Sequence, residues 1–471
     1  MQEVARSEPE VRSEAPPSAV SLEVERVTPY LGFLFLLLST ATLFDGFDSA
    51  MVSFAAPTLR NSLGIEISGW GPILSLTRLG VWASFLFLFF SDRIGRRRIM
   101  MATVVFFTLA NFATALVTTK TQFVVLQFIA RLFLTAEFSL AVIMIGEEFP
   151  ARMRGRAISV LASLATAGVM LTAKVQAWVL LPPAAESNAI ADLGHGMVSV
   201  ASSSLGIAND GAAWRSLYAL GVLPLLLIVV LRVGMRETRR FEAVKAAAAS
   251  KPKKTWAELV TEIFVPWQAE YRRRTAIVTL LWNCVFLVTG ASTAYWTIYA
   301  STVLKLTPAQ MGDIVFWGYA GGMAGSFSAS WLIERIGRKY TCAGAYVFAS
   351  FAIYMLFHVS ADLFDQYLWM ILTVYGFGAG NSATHVYASE LFPTEIRATG
   401  YGWTTNFLGR LTEVAVPAVV GFVIGAFGTT IPGAIAVVAA GPVVGAIIVL
   451  LYAPETKGLT LEQIAAKLRP A

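Results

Sequence analysis

Long runs of apolar residues constrain this chain more than any other feature of its sequence. Stretches of about twenty such residues, the length of a helix that crosses a bilayer, occur about twelve times along the 471 residues. They cover residues 31–57, 70–90, 99–118, 122–147, 157–181, 214–234, 275–300, 311–333, 341–360, 366–389, 399–426 and 431–452. The runs are continuous and do not alternate, which favours helices over the strands of a membrane β-barrel. We therefore expect an all-α membrane protein with twelve transmembrane helices.

The composition excludes several other classes of protein. Only 14% of the residues are charged, about half of the share in an average soluble domain, which excludes a soluble enzyme, a disordered protein and a nucleic-acid-binding protein. The two cysteines, Cys284 and Cys342, both lie inside apolar runs, so we interpret them as core residues and expect neither a disulfide nor a metal site. The three histidines are widely spaced and the chain has no phosphate-binding loop. We expect no enzymatic activity, no cofactor and no ATP-driven transport.

Basic residues alternate from one loop to the next and predict the topology. Arginines and lysines follow the second, fourth, sixth, eighth and tenth runs, whereas the alternate loops are almost free of them. By the positive-inside rule, both termini and the central link are cytoplasmic. The polar residues 1–27 contain no apolar core with a cleavage site, so we predict a disordered cytoplasmic tail and no signal peptide.

Two motifs recur in the second half of the chain. Residues 92–97 (Asp-Arg-Ile-Gly-Arg-Arg) reappear as residues 334–339 (Glu-Arg-Ile-Gly-Arg-Lys), and the Glu, Pro and Arg of residues 147–154 reappear in residues 390–397. The two repeats have almost the same offset along the chain, which predicts two pseudo-symmetric six-helix bundles. The predicted division is a tail at 1–27, bundles at 28–234 and 275–453, a cytoplasmic linker at 235–274 and a cytoplasmic tail at 454–471. The long loop 182–213 makes the first half longer.

These motifs carry a resemblance to a known family. The loop at 92–97, Glu-Glu-Phe-Pro-Ala-Arg-Met-Arg-Gly at 147–155, Glu-Leu-Phe-Pro-Thr-Glu-Ile-Arg-Ala-Thr-Gly at 390–400 and Pro-Glu-Thr-Lys-Gly at 454–458 together resemble the major facilitator superfamily. Asp45-Gly46-Phe47-Asp48 resembles the aromatic acid:proton symporters, and the loop motifs resemble the wider sugar-porter and synaptic-vesicle-protein-like group. The resemblance implies a secondary transporter that works by alternating access in the cell's inner (plasma) membrane.

The repeated loop motifs predict a cytoplasmic gate. Charge-assisted pairs between the arginines and the acidic helix ends would hold the two bundles together in the outward-facing state and break when the transporter opens inward. The alternative is that the basic residues only anchor the topology, which is our interpretation of Arg98 and Lys339. The predicted gate residues are Asp92, Arg96, Glu147, Arg154, Glu334, Arg338, Glu390 and Arg397.

Charged residues within the apolar runs predict the transport site, because a charge in hydrocarbon is costly unless it is paired or faces water. Asp45 and Asp48 share one face of the first helix, and with Glu137 they are the candidates for proton coupling. Asp48 is expected to pair with Arg78. Arg78, Arg131 and Lys174 make the first bundle basic at similar depth, which favours an anionic substrate. Arg131 resembles the fourth-helix arginine of the family and is predicted to bind a carboxylate.

The second bundle is predicted to supply further substrate contacts. Tyr295, Trp296 and Tyr299 would form an aromatic wall; the alternative is interfacial or lipid packing, which explains Trp296 equally well. Asn381 and His385 offer hydrogen bonds, although His385 is more simply read as a core histidine. Arg410 and Glu413 share a helix face and can neutralise each other.

The sequence predicts proton-coupled symport of a small organic acid anion, with protons and the lipid bilayer as the other partners and the protein as a monomer. A sugar or polyol porter is the alternative, supported by the Glu-Thr-Arg and Pro-Glu-Thr-Lys-Gly motifs but weakened by the absence of the paired glutamines of hexose carriers in the seventh helix. A drug efflux antiporter ranks lower, because the fifth helix has no Gly-Pro motif. A receptor that transports nothing would not need so many buried charges.

Overall fold

The chain folds into two bundles of six membrane-crossing helices. The computed structural model describes residues 28–94, 96–149, 151–180, 188–237, 261, 263–359, 362–392 and 396–457. The predicted tail 1–27, most of the predicted linker 235–274 and the end of the predicted C-terminal tail lie outside the described residues. The first-half helices are α1 (Pro29–Ser62), α2 (Ile67–Ile94), α3 (Arg96–Ala115), α4 (Lys120–Glu148), α5 (Ala151–Val179), α6 (Ala189–Leu205), α7 (Ala213–Leu220) and α8 (Val222–Arg232).

The second half repeats this pattern of helices. It consists of α9 (Arg272–Thr302), α10 (Pro308–Ile336), α11 (Arg338–His358), α12 (Leu363–Glu390), α13 (Arg397–Tyr401), α14 (Leu411–Phe427) and α15 (Ile431–Tyr452). Helices α7 and α8 together make the sixth membrane-crossing segment. The eleventh consists of α13, a π-helical stretch (Gly402–Phe407), a short 3-10 turn (Leu408–Arg410) and α14. The predicted twelve-helix, two-bundle fold is confirmed.

Local sequence signals set the ends of several helices. Thr119 and Thr307 each form a capping box with the glutamine three residues later, Gln122 and Gln310, at the starts of α4 and α10. Gly428 ends α14 in the left-handed conformation with a φ of 60°, which a residue without a Cβ adopts at little cost. These caps satisfy backbone groups that the bilayer cannot.

The two bundles meet along three pairs of helices. These pairs are α2 with α14, α5 with α10, and α1 with α9. We call the end of the molecule at which α1 begins the near end, and the end at which α1 finishes the far end. A Cβ on Gly71 would collide with the carbonyl oxygen of Pro417, and one on Gly312 would collide with that of Ala173. Glycine therefore permits direct backbone contact between the bundles at the far end.

Helix α6 is not among the predicted helices and lies in the long loop between the fifth and sixth membrane-crossing segments. The loop that follows it is tied to the first bundle through Asp210, which accepts hydrogen bonds from Arg215 Nε at 2.6 Å and from the Ser62 hydroxyl. Burial raises the pKa of Asp210, but the hydrogen bonds from Arg215, Ser62 and the Ala212 N–H outweigh this and lower it to about 2. Asp210 is therefore an anionic anchor at neutral pH.

Candidate functional site

Asp48 lies at the centre of a buried polar cluster between α1, α3 and α4. Its carboxylate accepts a hydrogen bond from Asn111 Nδ2, and its side chain is 4% exposed. Arg131 of α4 donates to the Ser49 carbonyl at 3.0 Å and lies close enough for its charge to act on Asp48. Gln127 extends the cluster along α4 by donating to Asn111 Oδ1 at 3.5 Å. The cluster therefore places a carboxylate within electrostatic range of a guanidinium at membrane depth, although no hydrogen bond between the two is among the described contacts.

Asp45 lies one turn before Asp48 and faces a second charged group. The charges of Glu137, Arg232 and Asp48 all act on its carboxylate. Among the described residues, no donor reaches Asp45 Oδ2 within hydrogen-bond distance, although that oxygen is buried. Most buried polar atoms in folded proteins have a hydrogen-bond partner, so this oxygen makes Asp45 a candidate functional residue.

Glu137 is held by a partner that the sequence analysis did not name. Arg232, at the end of α8, donates from Nη1 to Glu137 Oε2 at 2.9 Å and from Nη2 to Oε1. The Thr103 hydroxyl donates to Oε2 at 2.7 Å, and Arg232 also binds the Met100 carbonyl at 2.8 Å. Both charged side chains are almost completely buried. Glu137, predicted for proton coupling, is in this conformation half of a closed, neutral ion pair.

Arg78 binds the opposite bundle, and this differs from the predicted pair with Asp48. Its Nη1 donates to the backbone carbonyl of Glu413 at 2.9 Å, whereas Asp48 is bound by Asn111 and faces Arg131. The two residues lie on helices that follow each other in the chain, but α1 packs mainly against α5, whereas α2 packs against α4 and α14, so the two side chains have different neighbours. The expected pairing of Arg410 with Glu413 is present, with Nη1 and Oε2 2.8 Å apart.

The eleventh membrane-crossing segment is interrupted just before these two residues. The π-helical stretch and the 3-10 turn leave backbone groups to be satisfied from outside the helix. Asn283 of α9 does this, because its Nδ2 donates to the Leu408 carbonyl at 2.9 Å and its Oδ1 accepts from the Thr412 N–H at 2.9 Å. The Thr412 hydroxyl in turn donates to the Asn283 carbonyl at 2.7 Å. This double clamp fixes the backbone that carries Arg410.

Aromatic rings surround the interruption. Trp82 of the first bundle stacks on Phe407 with ring centroids 4.5 Å apart. His385 lies edge-on to Trp282 at 4.5 Å, and its Nδ1 is 2.5 Å from the Tyr401 hydroxyl. His385 is thus packed among aromatic rings of its own bundle.

The predicted aromatic wall on α9 is packed away in this conformation. The Tyr295 hydroxyl donates to the Pro417 carbonyl at 3.0 Å, and Trp296 Nε1 donates to Gln366 Oε1 at 3.1 Å. Tyr299 lies against Phe357 at 5.4 Å between ring centroids. All three are buried, whereas Asn381 on α12 is only partly buried. Their role in substrate binding stays a prediction.

Lys174, predicted to bind substrate, instead joins the two bundles at the far end. Its ammonium forms an ion pair with Asp313 of α10 and lies 4.7 Å from the centroid of the Phe316 ring. Both partners of the ion pair are about two-fifths exposed. Two further hydrogen bonds cross nearby, from the Thr297 hydroxyl to the Ser53 carbonyl at 2.7 Å and from Gln176 Nε2 to the Pro308 carbonyl at 2.5 Å. The far end is therefore closed.

At the near end, described charged groups bind within their own bundle. Glu237 accepts from the backbone N–H of Arg96 at 2.9 Å, at the start of α3. Glu455 accepts in the same way from the N–H of Arg338 at 3.0 Å, at the start of α11. A carboxylate at a helix N-terminus satisfies free N–H groups and the helix dipole. The Glu-Thr motifs that the sequence analysis took as a sugar-porter feature thus cap the helices that follow the repeated loops.

Three of the predicted gate residues meet in the second bundle. Arg338 lies 2.9 Å from Glu390 and 3.2 Å from Glu334. Glu390 also accepts a hydrogen bond from the Thr456 hydroxyl at 2.6 Å. Of the other five predicted gate residues, Arg96 begins α3 as described above, and the side chains of Asp92, Glu147, Arg154 and Arg397 lie outside the described part of the chain.

Comparisons with known proteins agree with this arrangement. The sequence profile of the Major Facilitator Superfamily matches residues 38–415. The putative niacin/nicotinamide transporter NiaP of Bacillus subtilis is 26% identical and covers 80% of this chain and 85% of its own. The gallate transporter of Pseudomonas putida is 25% identical over 82% of this chain and 84% of its own.

A solved structure shares the fold. It is a bacterial homologue of the human lysosomal transporter Spinster in an inward-facing, unoccupied conformation, with a TM-score of 0.70, 16% identity and coverage of 95% of this chain and 100% of that one. The chain belongs to the Major Facilitator Superfamily. It is a membrane transporter of a small molecule and not an enzyme.

Proposed function

We propose that this protein carries a small organic acid anion, most simply an aromatic carboxylate, together with protons. The observation that carries the proposal is the pair of buried carboxylates on one face of α1, with Arg131 beside Asp48 and with a described oxygen of Asp45 that lacks a donor. A carboxylate that changes protonation between two conformations couples transport to a proton gradient. Niacin and gallate, named in two of the relatives, are both aromatic rings that bear one carboxylate.

The proposed cycle assigns a separate role to each group. Protonation of Asp45 or Asp48 removes a charge that would otherwise compete with the substrate for Arg131. The free guanidinium then binds the substrate carboxylate with two parallel hydrogen bonds. Arg78, Arg410 and Asn381 would complete the site from both bundles. We assign the near end to the cytoplasm by the positive-inside rule, with both termini there, and the protein to the bacterial inner membrane as a monomer.

Alternating access then follows from the two ends. The far end is held shut by Lys174, Asp313 and the backbone contacts at Gly71 and Gly312. The gate residues Asp92, Arg96, Glu147, Arg154, Glu334, Arg338, Glu390 and Arg397 would close the near end in the opposite state. In the present state Arg338 and Glu390 pair within one bundle, which is consistent with a near gate that is open.

The test is uptake by proteoliposomes with an imposed pH gradient. Niacin, gallate, nicotinamide and xylose are offered separately, and we expect the two carboxylates to accumulate only when the outside is acidic. Asp48→Asn should abolish accumulation but retain exchange of labelled substrate, because the proton site is lost and the cavity remains. Asp192→Asn on the exposed surface of α6 serves as the matched control and should behave as the wild type. Accumulation of xylose in place of the acids would overturn the proposal in favour of a sugar porter.

A further inference from the structure

Helix α6 is a defined element whose position the structure fixes at both ends. Asn188 caps its first turn by accepting from the Ala191 N–H at 3.0 Å and donates to the Trp178 carbonyl at the end of α5 at 2.9 Å. Gly206 ends the helix in the left-handed conformation, and Asp210 then ties the chain to Ser62 and Arg215. These contacts hold the seventeen residues of α6 in a single position at the far end of the first bundle.

One face of α6 packs against the sixth membrane-crossing segment. Its buried residues are Ala191, Gly194, Val198 and Ser202, which occupy an arc of about 80° at 100° per residue. A Cβ on Gly194 would lie 2.8 Å from the Ser216 Cβ and 3.1 Å from Leu220, so the glycine allows close contact with α7. Helix α7 is buried from Trp214 to Ala219.

The rest of α6 divides into two faces of opposite character. Ile190, Leu193 and Val200 are 40%, 51% and 67% exposed and share a second arc of about 80°. Four of the five exposed polar residues of the helix, Asp192, His195, Ser199 and Ser203, lie on a third arc on the other side of the packed face. The fifth, Ser204 in the last turn, falls within the apolar arc. An exposed apolar face beside an exposed polar face is the pattern of a helix that lies at a membrane surface.

The apolar face of α6 continues the lipid-facing surface of the neighbouring helix. Helix α8 is the part of the sixth membrane-crossing segment towards the near end. Its side chains Leu223, Leu226 and Val230 are 41%, 50% and 68% exposed, and in a membrane transporter such a surface is in contact with lipid. Helix α7 shows no such surface within the described residues, because α6 packs on it together with α1, α3 and α5. The lipid-facing surface therefore passes from α8 onto α6.

We propose that α6 lies in the interface of the far leaflet, with Ile190, Leu193 and Val200 among the lipid chains and Asp192, His195 and Ser199 in water. Trp178, which is 51% exposed at the end of α5, lies at the same level and suits the same interface. The helix carries no Lys or Arg, so the association depends on apolar contact and not on anionic headgroups. The loop 182–213 thus supplies a membrane-surface helix, whereas the corresponding connection of the second bundle consists of residues 428–430 and has no helix.

The test is site-directed spin labelling of the full-length protein in phosphatidylcholine vesicles. Single cysteines replace Leu193 or Val200 on the apolar face and Ser199 or Ser203 on the polar face, and labelled wild type controls for the buried Cys284 and Cys342. Power saturation then compares access of oxygen, which concentrates in the bilayer, with access of a water-soluble nickel chelate.

We expect the labels at positions 193 and 200 to saturate at least several-fold more readily with oxygen than with the chelate, and the labels at 199 and 203 to show the reverse. Equal access of the chelate at all four positions would overturn the proposal, because the helix would then stand in water. Exclusion of both reagents at 193 and 200, with dipolar broadening between labels, would also overturn it, because a second copy of the chain would then cover the face. The result does not depend on which solute the protein carries.

Discussion

At the scale of single residues, Arg131 and Arg232 show how the same side chain serves two purposes. Arg232 is fully buried, and its described hydrogen bonds go to Glu137 and to the backbone carbonyl of Met100. Arg131 is only partly buried and donates one described hydrogen bond, to the Ser49 carbonyl. A guanidinium has five N–H donors, so Arg131 is the one suited to bind a substrate.

Replacement of Arg131 by lysine tests this assignment. Arg131→Lys keeps the charge but loses the planar fork, so binding of a carboxylate should weaken by about 1.5–3 kcal/mol, or about ten- to a hundredfold. Equilibrium binding of niacin to the purified variant measures the effect, with nicotinamide as the neutral analogue. An affinity for niacin equal to that of the wild type would remove Arg131 from the carboxylate site.

Replacement of Arg232 tests the buried ion pair. Arg232→Met leaves Glu137 as a buried charge without its cation and should lower the free energy of unfolding by about 3–5 kcal/mol. The double variant Glu137→Gln, Arg232→Met should recover most of that loss, because the isolated charge is gone. Thermal unfolding in detergent measures the stability of the single and the double variant. Unfolding is monitored by the reaction of a fluorescent maleimide with the Cys284 and Cys342 thiols, which are buried in the folded protein. A single variant as stable as the wild type would contradict the pair's structural role.

At the scale of elements, the interrupted eleventh segment is the feature that most affects the site. Its π-helical stretch adds backbone that a continuous helix would satisfy internally, and Asn283 supplies the missing hydrogen bonds from α9. The position of Arg410 therefore depends on a side chain of a different helix.

Removal of this clamp should be measurable. Asn283→Ala leaves the partly buried Leu408 carbonyl and Thr412 N–H without these two hydrogen bonds, and should destabilise the protein by about 2–3 kcal/mol. Thr412→Val is the matched control, because it removes one hydroxyl bond of the same clamp and should cost about 1 kcal/mol. The thermal unfolding assay used for Arg232 compares the two. An equal cost for both variants would show that the Asn283 amide does not support the interruption.

The elements also show what the sequence can and cannot predict. Spans and repeats are predictable because apolar length and motif spacing are read along one dimension. The pairing of Glu137 with Arg232 was missed because it depends on how α4 and α8 are rotated towards each other. The hydrogen bond between Asn111 and Asp48 was missed for the same reason, because it also depends on how two helices are rotated. Arg232 was recognisable as a charge near the end of the sixth apolar run, but its partner was not. Helix α6 was missed because serine and glycine interrupt its apolar residues.

At the scale of the whole molecule, closure of the far end depends on very close approach of the two bundles. Gly312 allows α10 to touch the backbone of α5, and the next residue, Asp313, pairs with Lys174 of α5. A larger side chain at position 312 would strain this conformation, but would not strain a conformation in which the two bundles are separated at that position. The balance between conformations therefore shifts by the difference in strain between them.

We predict that Gly312→Ala favours the state that is open at the far end. The added Cβ would collide with the Ala173 carbonyl, and overpacking of this kind costs about 1–3 kcal/mol, which shifts the ratio of the two states roughly five- to a hundredfold. The readout is a cysteine in place of Ser53, whose side chain is buried in the closed far end and whose hydrogen bond to Thr297 uses only the backbone carbonyl. Its rate of reaction with a membrane-impermeant thiol reagent added from the far side should rise by the same factor.

Gly344→Ala is the matched control, because a Cβ on this exposed glycine of α11 meets nothing within 4 Å. It should leave the reaction rate of the cysteine at position 53 unchanged. If Gly312→Ala also leaves that rate unchanged while the variant remains folded by the thiol-exposure assay, the backbone contact between α5 and α10 does not control closure. The Lys174–Asp313 ion pair and the contacts of Arg78 and Thr297 would then have to hold the far end without it.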